Sequence, residues 1–404
     1  MATACVKDLD CRGLRVLIRV DFNVPSRLDG EILDDRRIRA ALPTIRHVVD
    51  HGGIAIVMSH LGRPAGAGYE ANLSLAGVAT RLGELLGPKH PVVFVKGDCV
   101  GPDVTRAVES ATAGQVLMLD NLRFSAGEKS NDANLGASLG ALADAYVNDA
   151  FGTAHRTHAS IVATPAAMEG KPCVAGLLLE KEIHFLSETL ASPARPFIAI
   201  LGGAKVSDKL AAIKNLLPRV DAVLVGGGMA YTFLKAQDHA IGNSLLESDM
   251  IDIAREVLAE AANCGTDLVL PTDHVCAQRI DRDATVRTCE LGIPSEWIGL
   301  DIGPETLVHW CERVSHAGTV VWNGPVGVFE TPPFDAGTAG LAAALAHASK
   351  RHKTVTIVGG GETAAAVEVA GVASSITHVS TGGGASLQML EGRALPGLLA
   401  LDSV

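Results

Sequence analysis

Arg63, Arg123 and Arg156, accompanied by His60 and His155, each stand just beyond an apolar run of strand length in the first half of the chain. Arg36 opens the helix that follows the first such run. An arginine fork matches the oxygen geometry of phosphate and carboxylate, so a set of them aimed at one place suits a small, multiply charged anion. For a single arginine the plainer reading, a surface cation paired with a nearby carboxylate, serves equally well. The group favours the anion, because its members fall at one edge of a predicted sheet in a chain of net charge −11. His155 and His158 fit a supporting role as well as direct contact.

The second half carries glycine where the first carries arginine. Gly202 and Gly203 precede Lys205 and Lys209, which lie one helical turn apart if a helix starts there. Further apolar runs end in Gly226-Gly227-Gly228, in Asn323-Gly324, in Gly359-Gly360-Gly361-Glu362-Thr363 and in Gly382-Gly383-Gly384. Glycine lets backbone N–H groups come close to phosphates, and the positive end of the following helix favours their charge. One such turn can be packing alone; several on one edge point to a nucleotide. The sequence has no G-x-x-x-x-G-K-[ST], and no clean G-x-G-x-x-G follows the first strand of either half, so the grip is of another kind.

Positioning these residues is the task of alternating strands and helices. Strands are predicted at 16–20, 54–58, 92–95, 116–119 and 145–147, and again at 197–201, 222–225, 268–270, 320–322, 355–358 and 378–380. The helix at 37–50 puts Ile38, Leu42, Ile45 and Val49 on one face, with Pro43 as a point of kinking. Further helices are predicted at 74–86, near 103–110 and within 134–142. Strand–helix alternation implies parallel sheets with right-handed crossovers and ligands beyond the carboxyl ends of the strands. The stretch 175–190 reads as an amphipathic connecting helix, with Leu179, Ile183, Leu186 and Leu190 inward and Glu180, Glu182 and Glu188 on other faces. Pro193 and Pro196 stop it. Residues 276–290 read as a hairpin insertion without chemistry.

A chain of 404 residues exceeds one core and fits two domains of about 150–200 residues each. Its 48% hydrophobic and 20% charged content is that of an ordinary globular protein. The acidic balance argues against nucleic acid or an anionic membrane as partner. The eight cysteines show neither C-x-x-C nor zinc spacing, and no apolar run is long enough to span a bilayer. A reduced, cytoplasmic protein is the reading.

RVDFNVP at 19–25, SHLGRP at 59–64, LDNLRF at 119–124, DAFGTAHR at 149–156, GGAKVSDK at 202–209, WNGPVGVFE at 322–330 and STGGGASLQMLEG at 380–392 together resemble the phosphoglycerate kinase family. The resemblance runs in order from about residue 15 to the C-terminus. It implies a two-domain monomer that passes a phosphoryl group between 1,3-bisphosphoglycerate and Mg-ADP. Its fold would be two doubly wound, Rossmann-like α/β domains, 1–174 for phosphoglycerate and 197–392 for nucleotide. A connecting helix and hinge at 175–196 would join them, with the tail 393–404 returning to the first domain.

The resemblance also implies residue roles. Asp21, Phe22, Asn23 and Arg36 would hold the phosphoglycerate, with Ser59, His60, Leu61, Gly62 and Arg63 from the second strand end and Arg123 and Arg156 from later ones. Gly203, Ala204, Lys205 and Lys209 would meet the nucleotide's phosphates, Gly299 and Asn323 would line its site, and Glu330 would meet the ribose. Gly360, Gly361, Glu362 and Thr363 match the loop at the phosphates and Mg²⁺, with Glu362 as the metal's carboxylate. The family usually has aspartate at that position, so the longer side chain shifts the carboxylate outward; Asp120 likewise stands where many members have glutamate.

An acyl phosphate is a good leaving group, and in reverse a carboxylate attacks ATP without losing a proton, so no general base is required. Catalysis then rests on positioning and on neutralising charge. Arg36, Lys205 and Lys209 are the catalytic candidates, Arg36 and Lys209 flanking the transferred group, with help from Mg²⁺ and the N–H groups after Gly361 and Gly384. Closure of the domains would exclude water. A nicotinamide dehydrogenase would need the missing glycine fingerprint. A binding-only relative would be expected to have lost charge at Arg36, Lys205 or Lys209, and all three are present.

Overall fold

Runs of valine, isoleucine and leucine buried on both faces make the centre of each sheet. The computed structural model describes residues 3–27 and 30–402. Among these, packing separates two units, one running to His184 and regaining the chain from Ala394, the other spanning Phe185–Arg393.

The first unit holds β1 (Arg15–Val20), β2 (Ile54–Ser59), β3 (Val92–Val95), β4 (Val116–Asn121), β5 (Ala145–Asp149) and β6 (Cys173–Ala175). They form a six-stranded sheet in the order β3-β4-β2-β1-β5-β6, parallel throughout. Every residue of β2, β4 and β5 is buried, as a sheet covered on both faces requires. The chain leaves β1 in one direction along the sheet and β5 in the other, which opens a crevice above their carboxyl ends.

The second unit holds β7 (Phe197–Leu201), β8 (Ala222–Val225), β9 (Asp267–Val269), β10 (Asp273–Ala277), β11 (Arg287–Glu290), β12 (Ile298–Ile302), β13 (Thr319–Asn323), β14 (Val355–Gly359) and β15 (His378–Val379). Its main sheet runs β15-β14-β13-β7-β8-β9. This is the strand order of dinucleotide-binding folds, with the switch point between β7 and β13. The first unit departs from that order, because β4 inserts between β3 and β2 and leaves four strands on one side of the switch point and two on the other. The predicted hairpin at 276–290 is present as β10 and β11, antiparallel to each other and capped on the other side by antiparallel β12.

The helix Arg36–Asp50 buries Ile38, Ile45 and Val49 as its spacing predicts, adds Ala41, Thr44 and Val48, and leaves Leu42 half-exposed. Pro43 lies inside it without ending it. The connecting stretch is less regular than its periodicity suggests. An α-helix at Leu177–Ile183 widens into a π-helical turn at His184–Glu188 and closes as Thr189–Ala191. Leu179, Leu186 and Leu190 are buried, yet Glu182, expected on the polar face, is fully buried too. A wider turn rotates the residues after it relative to those before, so one 3.6-residue stripe cannot be read across the whole stretch.

The helix Leu177–Ile183, expected as part of a separate connecting segment at 175–196, packs with the first unit, which runs to His184. Asp149 Oδ1 accepts from Leu178 N at 2.9 Å and Leu179 N at 3.2 Å, and Thr44 Oγ1 accepts from Leu177 N at 2.9 Å. The tail is tied to the same unit, where Cys173 N donates to Asp402 Oδ2 at 2.7 Å and Gly397 N to Ala154 O at 2.8 Å. Lys205 and Lys209 do not share a helix, because the helix begins only at Leu210 and leaves both in the preceding loop.

Candidate functional site

In the first unit the loops after β1, β2, β4 and β5 meet above the switch point. Phe22 N donates to Ser59 Oγ at 2.8 Å, and Gly62 N donates to Asn23 Oδ1 at 2.8 Å, tying the loops after β1 and β2 together. Asn121, at the end of β4, accepts from Leu61 N at 3.2 Å and donates to Leu61 O at 2.7 Å. Arg123 Nη1 donates to Gly62 O at 2.6 Å. Asp21 receives Arg37 Nη1 at 3.1 Å and lies 3.9 Å from His60 Nδ1.

The electrostatics of this cluster are unbalanced. His60 is almost fully buried, and burial, followed by the charges of Arg19, Arg123, Arg156 and Arg37, holds its pKa well below the ordinary value. Burial, then Arg156 and Arg19, brings Arg123 down to about 10. Among the described residues, Arg123 Nε and His155 Nδ1 are buried without a hydrogen-bond partner. Cations crowded close enough to depress one another's pKa values make a place where an anion is favoured.

Arg63 is exposed on the loop after β2, and Arg156 is half-buried after β5. Arg36 opens its helix with an exposed side chain, forked onto Asp34 by Nε at 2.8 Å and Nη2 at 2.5 Å. Two contributors escaped the sequence reading. Arg19 is fully buried within β1, and a charged residue inside the apolar run RVLIRV was the signal that could have found it. Arg37, beside Arg36, carried no distinguishing signal.

In the second unit β7 and β13 end side by side at the switch point. Gly202 N donates to Asn323 O at 3.0 Å and Gly203 N to Pro325 O at 3.0 Å. A Cβ on Gly202 would lie 2.1 Å from Pro325 O, so the two loops can approach this closely only through glycine. Lys209 Nζ donates to Asn323 Oδ1. Burial lowers the lysine's pKa, and Glu362 is the foremost charge opposing that shift. Asn323 Nδ2 is buried without a partner among the described residues. Thr363 Oγ1 accepts from Gly324 N at 2.7 Å, joining the loop after β13 to the one after β14.

Two helices, Gly361–Val369 and Gly383–Leu390, open next to each other on this edge. Their closeness is measured by Gly383, whose Cβ would lie 3.3 Å from Gly361 N. Paired helix N-termini beside a lysine suit a polyphosphate chain. Glu362 is exposed in the first turn of the helix Gly361–Val369. Ala204, Lys205 and Glu330 are exposed in loops. Gly299 is buried in β12, where a Cβ would lie 2.1 Å from Tyr231 Oη, so its glycine identity follows first from packing. Among the described residues, no group of three or more His, Cys, Asp or Glu is arranged to hold a metal ion, and no helix is long and apolar enough to cross a membrane.

Comparison with known proteins agrees with this geometry. A family model described as phosphoglycerate kinase matches residues 6–393. A phosphoglycerate kinase of Chloroherpeton thalassium is 50% identical over 404 residues, covering 100% of both chains. One of Moorella thermoacetica is 51% identical over 402 residues and 99% of both chains. The structure of phosphoglycerate kinase from Coxiella burnetii matches with a TM-score of 0.88 at 37% identity, covering 98% of each chain.

Proposed function

The chain belongs to the phosphoglycerate kinase family, and from that premise we propose which of its groups carry each part of the reaction. The enzyme is a phosphotransferase moving a phosphoryl group between 1,3-bisphosphoglycerate and ADP, to give 3-phosphoglycerate and ATP. The phosphoglycerate sits among Arg63, Arg123, Arg156 and His60, with Asp21, Asn23 and the backbone of Leu61 and Gly62 shaping the cradle. The observation that carries this assignment is the buried Arg123 Nε without a partner among the described residues, in a guanidinium already crowded by Arg156 and Arg19, where a phosphate oxygen would be welcome. The nucleotide's phosphates lie along Gly203 to Lys209 and the N-termini opened by Gly361 and Gly383, with Glu330 at the ribose.

Glu362 fits a magnesium ion in one respect: a single exposed carboxylate in the first turn of a helix is what a metal needs when phosphates and water supply its other oxygens. Bound there, magnesium would screen the charge on the nucleotide's terminal phosphates. The chain's own contribution is positional. Arg36 exchanges Asp34 for oxygens of the transferring group, and Lys209 turns from Asn323 to the same group, so two cations meet the charge that develops on it. Closure of the units removes water from an acyl phosphate that would otherwise hydrolyse. The enzyme acts as a monomer in the cytoplasm, in glycolysis or carbon fixation.

A coupled assay with 3-phosphoglycerate, ATP and Mg²⁺, run on wild type, Lys209→Ala and Arg36→Ala, tests these roles. Loss of a cation that acts in the transition state should lower kcat by about 10²–10³ while changing KM little. A KM that rises with kcat nearly intact would make the residue a binding group and sink the catalytic assignment.

A further inference from the structure

Behind the arginine cluster lies a carboxylate that the reaction as described does not use. Glu128, on the short helix Ala126–Lys129, is 0% exposed. Its Oε2 accepts from Ser160 N at 2.9 Å, its Oε1 accepts from Ser160 Oγ at 2.7 Å, and His158 Nδ1 stands 3.6 Å away. Ser160 has one hydroxyl proton, and Glu128 takes it. The serine oxygen is therefore left to accept from Arg19 Nε at 2.9 Å. Arg19 Nη1 donates to Val20 O, and Nη2 lies 3.2 Å from His60 Nδ1. A guanidinium has no acceptor, so Nδ1 must accept and the proton of a neutral His60 must sit on Nε2.

We propose that Glu128 is a positioning residue, which through Ser160 and Arg19 fixes His60 as the Nε2–H tautomer and so supplies the anion site with a neutral donor among its cations. The proposal rests on the reading that this cluster takes phosphoglycerate. Glu128 does two things at once: it keeps the serine proton away from Arg19, so that the guanidinium stays docked with Nη2 on His60 Nδ1, and it places a buried negative charge behind Arg19. Against the burial that would raise it, hydrogen bonding from His158 and the charge of Arg19 keep the Glu128 carboxyl below its ordinary range. A glutamine there presents N–H to Ser160 Oγ and turns the serine proton toward Arg19, so two donors face each other and the guanidinium is pushed off His60 Nδ1.

The full-length protein labelled with ¹⁵N at histidine tests this, the His60 signals being identified by their loss in His60→Gln. In the ligand-free wild type, Nδ1 should resonate as an unprotonated acceptor and Nε2 as N–H. In Glu128→Gln and in Ser160→Ala the two nitrogens should move toward a mixture of tautomers. KM for 3-phosphoglycerate should rise about tenfold or more, with kcat and KM for ATP held within about threefold. The proposal is overturned if ligand-free wild type carries the proton on Nδ1, or if the folded variants leave the His60 signals and KM unchanged. A joint fall of kcat, both affinities and melting temperature would also overturn it, as the mark of a merely structural carboxylate. Should 3-phosphoglycerate fail to move the His60 signals of wild type, the cluster has been assigned to the wrong ligand, while the tautomer of the ligand-free chain still decides the relay.

Discussion

At the scale of single residues, the first unit stores unfavourable charge in exchange for affinity. Arg123 has burial, Arg156 and Arg19 all acting against its charge, and a buried Nε with no partner among the described residues. Removing that charge should relieve the neighbours it repels, so Arg123→Gln should melt within about 2 °C of wild type in anion-free buffer despite losing the bond to Gly62 O. An anion that binds only the folded state stabilises it by RT ln(1 + [L]/Kd), about 1.4 kcal/mol at ten times Kd. Inorganic phosphate should therefore raise the melting temperature of wild type by a few degrees and that of Arg123→Gln by less than half as much. An equal rise in both proteins, followed by thermal unfolding across a phosphate series, would remove Arg123 from the anion site. Residue types made Arg63, Arg123 and Arg156 conspicuous as candidates just past apolar runs; of the three, Arg123 and Arg156 join the charge cluster around His60, while Arg63 lies exposed on its loop. The same signal could not reveal Asn121 or Ser160, whose work is to hold a neighbouring loop or a neighbouring guanidinium, and neither task leaves a periodic trace.

At the scale of elements, buried aspartates fasten helices to strand ends. Asp120 accepts from Leu75 N at 2.8 Å and Gly97 N at 3.0 Å. Asp273 accepts from Glu305 N at 3.0 Å and Thr306 N at 2.8 Å. Asp301 accepts from Gly337 N at 2.7 Å, and Asp149 binds the start of the helix Leu177–Ile183. Asp149 is fully buried, its Oδ2 has no partner among the described residues, and burial pushes its pKa up from 3.8 to about 7. A carboxyl whose folded pKa lies above its unfolded one binds its proton more tightly when folded. Its contribution to stability is therefore greatest below the unfolded value and falls away as pH rises from about 4 to about 7. Asparagine copies the protonated form at every pH. Asp149→Asn should stay close to wild type in denaturant unfolding at pH 4 and pull ahead of it as pH rises, by about 1 kcal/mol or more at pH 8. A variant that is weaker than wild type at pH 8 would show that the charged carboxylate is wanted there. Most of the strands were plain from apolar runs, though the three-residue β6 was too short to show as one, and the parallel arrangement followed from alternation. The caps were not, since a strand-end aspartate that binds a helix from another part of the chain looks in sequence like any turn residue. The π turn at His184–Glu188 was hidden for a related reason: one added residue per turn changes the face but not the composition.

For the whole molecule, the decisive feature is that the arginine cluster and the paired helix N-termini belong to different packing units, with the division falling between His184 and Phe185. If the acceptor binds one unit and the nucleotide the other, chemistry needs a state that neither ligand stabilises alone. A ligand shifts an equilibrium only by its differential affinity for the two states, so closure should demand both. The segment that joins the units carries the π-helical turn, a form found mostly as a local defect at functional places in helices. It is the natural place for backbone torsions to change. We therefore expect hydrogen exchange at amides 184–191 to be nearly the same in the free enzyme, with 3-phosphoglycerate alone and with ADP alone, and to slow by about tenfold or more with both. ADP and 3-phosphoglycerate cannot react with each other, so the ternary complex persists through the labelling. Protection near Arg123 and Arg156 with 3-phosphoglycerate alone, and near Gly361 and Gly383 with ADP alone, would serve as the internal control that each ligand is bound. Full protection of 184–191 by a single ligand, or none with both while those controls respond, would overturn the proposed role of this segment as a hinge.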